Sequence, residues 1–363
     1  MRIGFVIYGS LETRSGGYLY DRKLVAYLRQ QGDEVILFSQ PWRNYARRIL
    51  HNFDGAWADA MARARLDILI QDELNHPSLF LRNRDLRTRV PAPIMALVHH
   101  LRSDEAHAPP LMPLYRAVEA RYLRSVDGFI YNSRSTQASV LSLAGIERPG
   151  VVAYPGREAQ APPLSEADIQ ARAQQPGPLR LLFVGNLIPR KGLHILLDAL
   201  AHLPSAMAQL TVVGDAALNA RYSRHVRAQA RRLGLESRID WRGPVSDAVL
   251  HQLYASHHAL AVPSQHEGFG IVYLEAMGYG LIAVGSEAGG AGEIIRPGET
   301  GLLIPPGDAD ALATRLWWLH QHRREMGHMG VAARQTWLTH PTWEETAARI
   351  RAFLIEMSHA SLR

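Results

Sequence analysis

No cysteine occurs among the 363 residues. Disulfides, thiolate metal sites and cysteine nucleophiles are therefore excluded, and a reducing compartment is compatible with the chain. Long apolar runs are also missing: no stretch approaches the length of a membrane span. The opening Met1-Arg-Ile-Gly-Phe-Val-Ile-Tyr8 is too short for a signal peptide and reads as a first β-strand. Lysine is scarce. Of 40 basic residues only Lys23 and Lys191 are lysines, and the rest are arginines, whose planar forks suit phosphate and anionic surfaces.

What is present is the composition of a globular protein, 47% hydrophobic and 20% charged, at a length that predicts two domains. The net charge is +6, and residues 1–160 hold 21 basic against 16 acidic side chains. A basic first half favours contact with an anionic membrane or a phosphorylated acceptor; a solvated arginine-rich surface explains it equally.

The chain is organised around residues 259–280. Ala259-Leu-Ala-Val262 is a short apolar segment that predicts a buried strand, and Ile271 to Gly278 has a helical pattern. Between them lies a turn containing Gly268-Phe269-Gly270. The first turn of a helix offers unpaired N–H groups and a positive dipole end, and glycines there let an anion approach the backbone. Two carboxylates bracket this position, Glu267 before the loop and Glu275 in the second helical turn. Carboxylates repel phosphate, so hydroxyl groups are their natural partners. A diphosphate with hydroxyls on both sides is a nucleotide sugar, with sugar at one end and ribose at the other.

A second cue is Gly185-Asn-Leu-Ile-Pro-Arg-Lys-Gly192, a loop after the predicted strand Leu179 to Val184. It places Arg190 and Lys191 at a helix start, where they can neutralise a diphosphate leaving group. Ser15-Gly16-Gly17 is a further glycine-rich helix start after the first strand. The strand predicted over 66–71 runs into Asp72-Glu73-Leu74-Asn75-His76, and polar loops at the carboxyl ends of strands are where open α/β sheets bind ligands. Glu73 and Asn75 are candidates there. His99-His100 leave another strand end, but adjacent residues on an extended chain point apart and no third ligand is evident, so no metal is expected.

The spacing of Glu267 and Glu275 around Gly-Phe-Gly, with the Arg-Lys-Gly segment, resembles the signature of retaining glycosyltransferases of family 4. The resemblance covers nearly the whole chain and is most specific in its second half. It implies an α/β architecture of the GT-B type, two Rossmann-like doubly wound domains facing a central cleft. The expected boundaries are 1–160 for an acceptor-binding domain, 161–178 for a linker, 179–340 for the nucleotide-sugar domain, and 341–363 for a helix returning to the first domain, anchored by Trp343.

In this resemblance Arg190, Lys191 and the N–H groups of Gly270, Ile271 and Val272 hold the diphosphate. Glu267 takes the sugar and Glu275 the ribose. Gly16, Gly17, Gly185, Asn186, Gly268 and Phe269 line the donor, and Val245 borders the base. His99 lies beside the transferred sugar, with His100 as the alternative. Arg102, Asp104 and Glu105 join His100, Glu73 and Asn75 as acceptor contacts. Catalysis is assigned to His99, Glu267, Arg190 and Lys191, with domain closure completing the site.

The expected activity is hexosyl transfer with retention, from a nucleoside-diphosphate sugar to a glycan, glycolipid or small-molecule hydroxyl, in cell-envelope synthesis. It needs no metal and no other cofactor. The expected place of action is the cytoplasm or the inner face of the membrane. Two alternatives stay open: a nucleotide-sugar epimerase or hydrolase on the same fold, and a non-catalytic nucleotide-sugar-binding protein.

Two arginine-rich segments admit bland readings. Asn219 to Leu233 predicts a solvated amphipathic helix and not a nucleic-acid surface, because aromatic interleaving is lacking. Trp42 to Phe53 fits either a membrane-surface segment or a core-packed helix with an arginine face, and the core-packed form is the expectation. Arg82, Arg84, Arg87 and Arg89 are expected on a solvated face.

Overall fold

The computed structural model describes residues 1–105, 107 and 109–360. It contains two compact units. One is Met1–Gly156 together with the chain from Pro341 onward; the other is Arg157–His340. Each is built on one six-stranded parallel sheet.

In the first unit the strands are β1 (Arg2–Tyr8), β2 (Glu34–Gln40), β3 (Ile68–Asp72), β4 (Ile94–Val98), β5 (Gly128–Tyr131) and β6 (Gly150–Val152), in the order β2-β1-β3-β4-β5-β6. The second has β7 (Leu179–Val184), β8 (Ala208–Val213), β9 (Ile239–Gly243), β10 (Ala259–Val262), β11 (Ile282–Ser286) and β12 (Gly301–Ile304), in the order β12-β11-β10-β7-β8-β9. Parallel neighbours require crossover connections, and the covering helices bury both faces of the sheet. That is why β4 and β10 read as unbroken apolar runs, and both are buried at every position.

Strand order reverses between β1 and β3 in one sheet and between β7 and β10 in the other. Crossovers leave to opposite sides at such a point, and the loops at the carboxyl ends of the two strands open into a crevice. Chain order alone thus brings the loop after β7 beside the loop after β10. The amide of Gln265 donates to the Arg190 carbonyl at 2.8 Å, and the Arg190 guanidinium returns a bond to the His266 carbonyl at 3.0 Å.

Gly192 sits where these loops meet. Its φ is +71°, and a Cβ there would lie 2.0 Å from the Pro263 carbonyl oxygen. Gly192→Ala is therefore expected to cost about 2–3 kcal/mol in denaturant unfolding, from backbone strain and the displaced loop together. Gly234 has a similar φ of +69° with nothing within 4 Å. Gly234→Ala isolates the strain and is expected to cost only about 1 kcal/mol. Equal losses in the two variants would show that the loop contact carries no weight.

The segment expected as a linker is instead part of the second unit. Residues 166–173 form a helix (Glu166–Ala173) with a capping box between Ser165 and Asp168. Ile169 and Ala173 are buried, and Arg172 donates to the carbonyls of Tyr279 and Gly280, each at 2.8 Å. Two buried apolar side chains hold a helix this short, so its hydrophobic period is faint.

The terminal helix Trp343–Ala360 groups with the first unit. Trp343 packs edge-on against Tyr20 with ring centroids 5.7 Å apart, and Arg351 pairs with the buried Asp33 at 2.7 Å.

Two surface expectations are corrected. The helix Tyr45–Leu50 buries none of its residues, and Trp42, Leu50 and Phe53 are 49%, 64% and 73% exposed. It is not a core-packed helix: Tyr45, Arg48 and Ile49 are half-buried, and its other residues are exposed. Arg82 is buried, pairing with Asp85 at 3.2 Å, while Arg84, Arg87 and Arg89 on the same helix are exposed as expected. The arginine-rich helix Ala220–Arg232 does expose its arginines and bury Tyr222, Val226 and Ala230. Among the described residues, no helix is long and apolar enough to cross a membrane.

Candidate functional site

The second unit concentrates charge at its strand-order reversal. Lys191 Nζ lies 2.5 Å from Glu267 Oε1, and Arg190 Nη1 lies 3.5 Å from Glu267 Oε2. The Ser264 hydroxyl also donates to Glu267 Oε1, at 2.5 Å. Burial alone would raise the Glu267 pKa. The charges of Lys191 and Arg190, with the hydrogen bonds from Lys191 and Ser264, outweigh it and hold the carboxyl down at about 2. The lysine stem runs past Gly185, whose missing Cβ would sit 3.6 Å from Lys191 Cδ. Asn186 follows in the same loop.

Immediately beyond Glu267, Gly268 and the buried Phe269 lead to Gly270, the left-handed residue that starts the helix Ile271–Gly278. Gly270's carbonyl accepts from Tyr273 and Leu274. The amides at the very start of this helix precede its first internal bonds, the arrangement by which a helix N-terminus can accept an anion. One turn on, half-buried Glu275 accepts a hydrogen bond from the Tyr254 hydroxyl at 2.8 Å. Burial pushes its pKa up to about 7, against the lowering effect of that bond. Val245 is half-buried in the turn after β9.

The candidates of the first unit gather at the ends of β1, β3 and β4. His99 is buried, and its Nε2 meets Asp21 Oδ1 at 3.0 Å. Burial works against the charged ring, but the Asp21 charge and hydrogen bond, joined by the Asp72 charge, leave its pKa above the ordinary value. Gly17 passes close over this imidazole: a Cβ there would lie 3.2 Å from a ring carbon. Gly16 opens the same helix, Gly16–Gln30, which Ser15 caps. His100 bonds Glu105 at 3.0 Å, and Arg102 stacks on Tyr45 and Tyr115. Asp104 closes the short turn Arg102–Asp104.

Glu73 and Asn75 are almost wholly buried. Asn75 donates to the carbonyls of Val6 and Asp72, so its amide braces the loop. Glu73, His76 and Glu119 bring ligand atoms within 4.8 Å of one another. However, His76 is engaged by the Glu73 carbonyl and the Tyr45 hydroxyl, and Glu119 accepts the amides of Arg102 and Ser103.

Three partners escape a reading of the sequence: Asp21 for His99, Ser264 for Glu267 and Tyr254 for Glu275. Each leaves a faint trace. Asp21 is an acid on the otherwise apolar face formed by Tyr18, Leu24, Val25 and Leu28. Tyr254 is the buried residue of the helix Asp247–Ser256, and Ser264 directly follows the β10 segment.

Residues 165–336 match the family model described as glycosyl transferases group 1. D-rhamnosyltransferase WbpZ of Pseudomonas aeruginosa is 32% identical over 291 residues, 74% of each chain. Among solved structures, sucrose-phosphate synthase from Thermosynechococcus elongatus superposes with a TM-score of 0.86 at 21% identity, over 99% of this chain and 100% of that one. HepE of Anabaena in complex with UDP-glucose superposes with a TM-score of 0.78 at 22% identity, over 98% and 100%. The paired parallel sheets have the GT-B fold of these structures. With the family-model match and the extent of the likeness to WbpZ, the chain belongs to the group 1 glycosyl transferases.

Proposed function

We propose that this glycosyltransferase moves a hexosyl residue from a nucleoside-diphosphate sugar to an acceptor hydroxyl, with retention at the anomeric carbon, in the synthesis of a cell-envelope glycan or glycolipid. The observation that carries the reading is the Lys191–Glu267–Arg190 cluster beside the start of the helix Ile271–Gly278. A diphosphate set against these amides gains two cations as its negative charge grows on bond cleavage. Glu275, recessed beside Tyr254, is set to accept ribose hydroxyls. Glu267, ionised, bonded by Lys191 and Ser264 and paired with Arg190, accepts from the sugar. His99, held by Asp21 at 3.0 Å, is the residue that the family resemblance assigns to the transferred sugar.

Retention follows the mode generally ascribed to the resembled family. The acceptor attacks on the face the leaving group departs from, and the departing phosphate takes the acceptor's proton. A carboxylate already engaged by Lys191, Arg190 and Ser264 is a poor nucleophile, which agrees with that mode. The HepE complex with UDP-glucose supports a nucleotide-sugar donor. Exposed Trp42, Leu50 and Phe53 among Arg43 and Arg47 support contact of the first unit with an anionic membrane surface.

Thermal stabilisation by a panel of nucleoside diphosphates and their sugars, without added metal, tests the donor site. A shift of about 5 °C with one base, lost in Glu275→Ala and in Arg190→Ala, is the expected result. No shift with any nucleotide in folded protein overturns the reading. Conversion of the donor without an acceptor would favour the epimerase or hydrolase alternative. The anomeric configuration of the product, read by NMR, tests retention.

The Glu275 pKa makes this binding pH-dependent. Above about 7 the side chain is a carboxylate that accepts from both ribose hydroxyls; below, it is the neutral acid. Affinity for the nucleotide sugar should therefore rise about tenfold between about pH 6 and 8. Glu275→Gln should flatten the profile. A wild-type profile already flat over this range would show that the ribose does not rely on the ionised group.

A further inference from the structure

The first unit holds two arginines that the donor chemistry does not use. The Arg48 guanidinium lies 4.4 Å over the Tyr8 ring and 4.5 Å over Trp42. That of Arg102 lies 4.5 Å over Tyr115 and 5.0 Å over Tyr45. Tyr45 and Arg48 are three residues apart on the helix Tyr45–Leu50 and so share a face. The Tyr45 hydroxyl meets His76 Nε2 at 3.2 Å. Burial lowers the His76 pKa to about 3, and the charges of both arginines act in the same direction. The two cations thus act on one locality, at the carboxyl ends of β1, β2 and β4.

Among the described residues neither guanidinium forms an ion pair. Arg48 Nε donates to the Arg43 carbonyl at 2.7 Å, and Arg102 Nε is buried without a hydrogen-bond partner. The carboxylates of this region are engaged elsewhere: Glu119 accepts backbone amides, Glu105 bonds His100, and Asp72, on which the Arg48 charge acts, accepts the Leu74 amide. Two half-buried like charges held on aromatic faces are costly without an anion to share. Planar forks presented from stacked positions match the oxygens of a phosphoryl group.

We propose that Arg48 and Arg102 bind a phosphoryl group carried by the acceptor, making the acceptor a phosphate or diphosphate ester. This rests on the transferase reading and adds the chemical class of its acceptor. The phosphoryl group belongs either to a lipid headgroup, whose tail would meet the exposed Trp42, Leu50 and Phe53, or to a soluble phosphorylated sugar or polyol.

Isothermal titration of the full chain with inorganic pyrophosphate tests the site. Wild-type protein should show two sites, one at Lys191 and Arg190 and one at Arg48 and Arg102. Arg48→Gln/Arg102→Gln should weaken one site at least about tenfold and keep the other, whose survival also shows that the variant is folded. Lys191→Ala/Arg190→Ala should do the reverse. Unchanged pyrophosphate binding in Arg48→Gln/Arg102→Gln overturns the proposal, whereas two intact sites in Lys191→Ala/Arg190→Ala would strike the donor assignment alone.

Flotation with phosphatidylcholine vesicles, with and without phosphatidic acid, separates the sources. As a control, Arg221→Gln/Arg224→Gln removes two exposed arginines from the second unit. Binding to the anionic vesicles that is lost only in Arg48→Gln/Arg102→Gln supports a lipid phosphate. Equal flotation of all three proteins, with pyrophosphate binding lost only in that variant, supports a soluble phosphorylated acceptor.

Discussion

Replacing Lys191 and Arg190 together by alanine is expected to lower kcat/KM by 100- to 1,000-fold, roughly the cost of removing a preorganised charge-stabilising group. The two residues should not contribute equally. Lys191 presents its ammonium directly, 2.5 Å from Glu267, with its stem laid along Gly185. Arg190 spends one bond on the His266 carbonyl and stands 3.5 Å from Glu267. Lys191→Ala alone is therefore expected to cost about 100-fold and Arg190→Ala about tenfold, with the double variant departing from simple multiplication because both cations face one carboxylate. Steady-state kinetics with the donor identified by thermal shift measures this. Turnover near wild type in the double variant would remove both residues from the mechanism.

Glu267→Gln is expected to move binding and turnover in opposite directions. In the ligand-free protein the Glu267 carboxylate offsets one of the two neighbouring positive charges. An incoming diphosphate meets that negative charge and must share the cations with it. Glutamine keeps the size and can still accept from Ser264 and Lys191, but it removes the repulsion. Affinity for a nucleoside diphosphate without its sugar should then rise by up to about tenfold, since 1.4 kcal/mol is a factor of ten. Turnover should fall about 100-fold, because the ionised acceptor for the sugar hydroxyls is lost. Calorimetry and initial rates read the two effects separately. Parallel losses in both would mean that Glu267 chiefly maintains the loop between Pro263 and Gly270.

The alternation of strands and helices was legible because the parallel strands are short apolar runs and several covering helices start on a cap or glycine, as at Ser15, Ser133, Asn219 and Gly270. The cluster at Lys191 and Glu267 was legible as two separate loops. Lys191 and Glu267 are 76 positions apart; their meeting depends on β7 and β10 being neighbours, and strand order is set by the packing of crossovers, which no local pattern encodes. Glu275 was readable as a polar side chain on a helix, but its recess was not, because Tyr254 comes from another helix. Asp21 stayed hidden for the same reason: one acid on an apolar face becomes informative only when β4 delivers His99 against it. The segment 42–53 misled because aromatic residues raise the expectation of burial. Here Tyr8, Tyr45, Trp42 and Tyr115 serve as platforms for arginines, a use that leaves Leu50 and Phe53 in solvent.

The terminal helix also sets an order on how this protein comes into being. The first unit is discontinuous in sequence: its sheet is complete by Val152, yet the helix that covers Tyr20 and adds Arg351 to the Met1–Asp33 ion pair begins only at Trp343. At translation rates of about 5–20 residues per second, roughly ten to forty seconds separate the two on the ribosome. Through that interval the nascent first unit waits with an uncovered apolar face while the second unit emerges as one uninterrupted stretch. The second unit is thus positioned to reach its native state first, although it is made later.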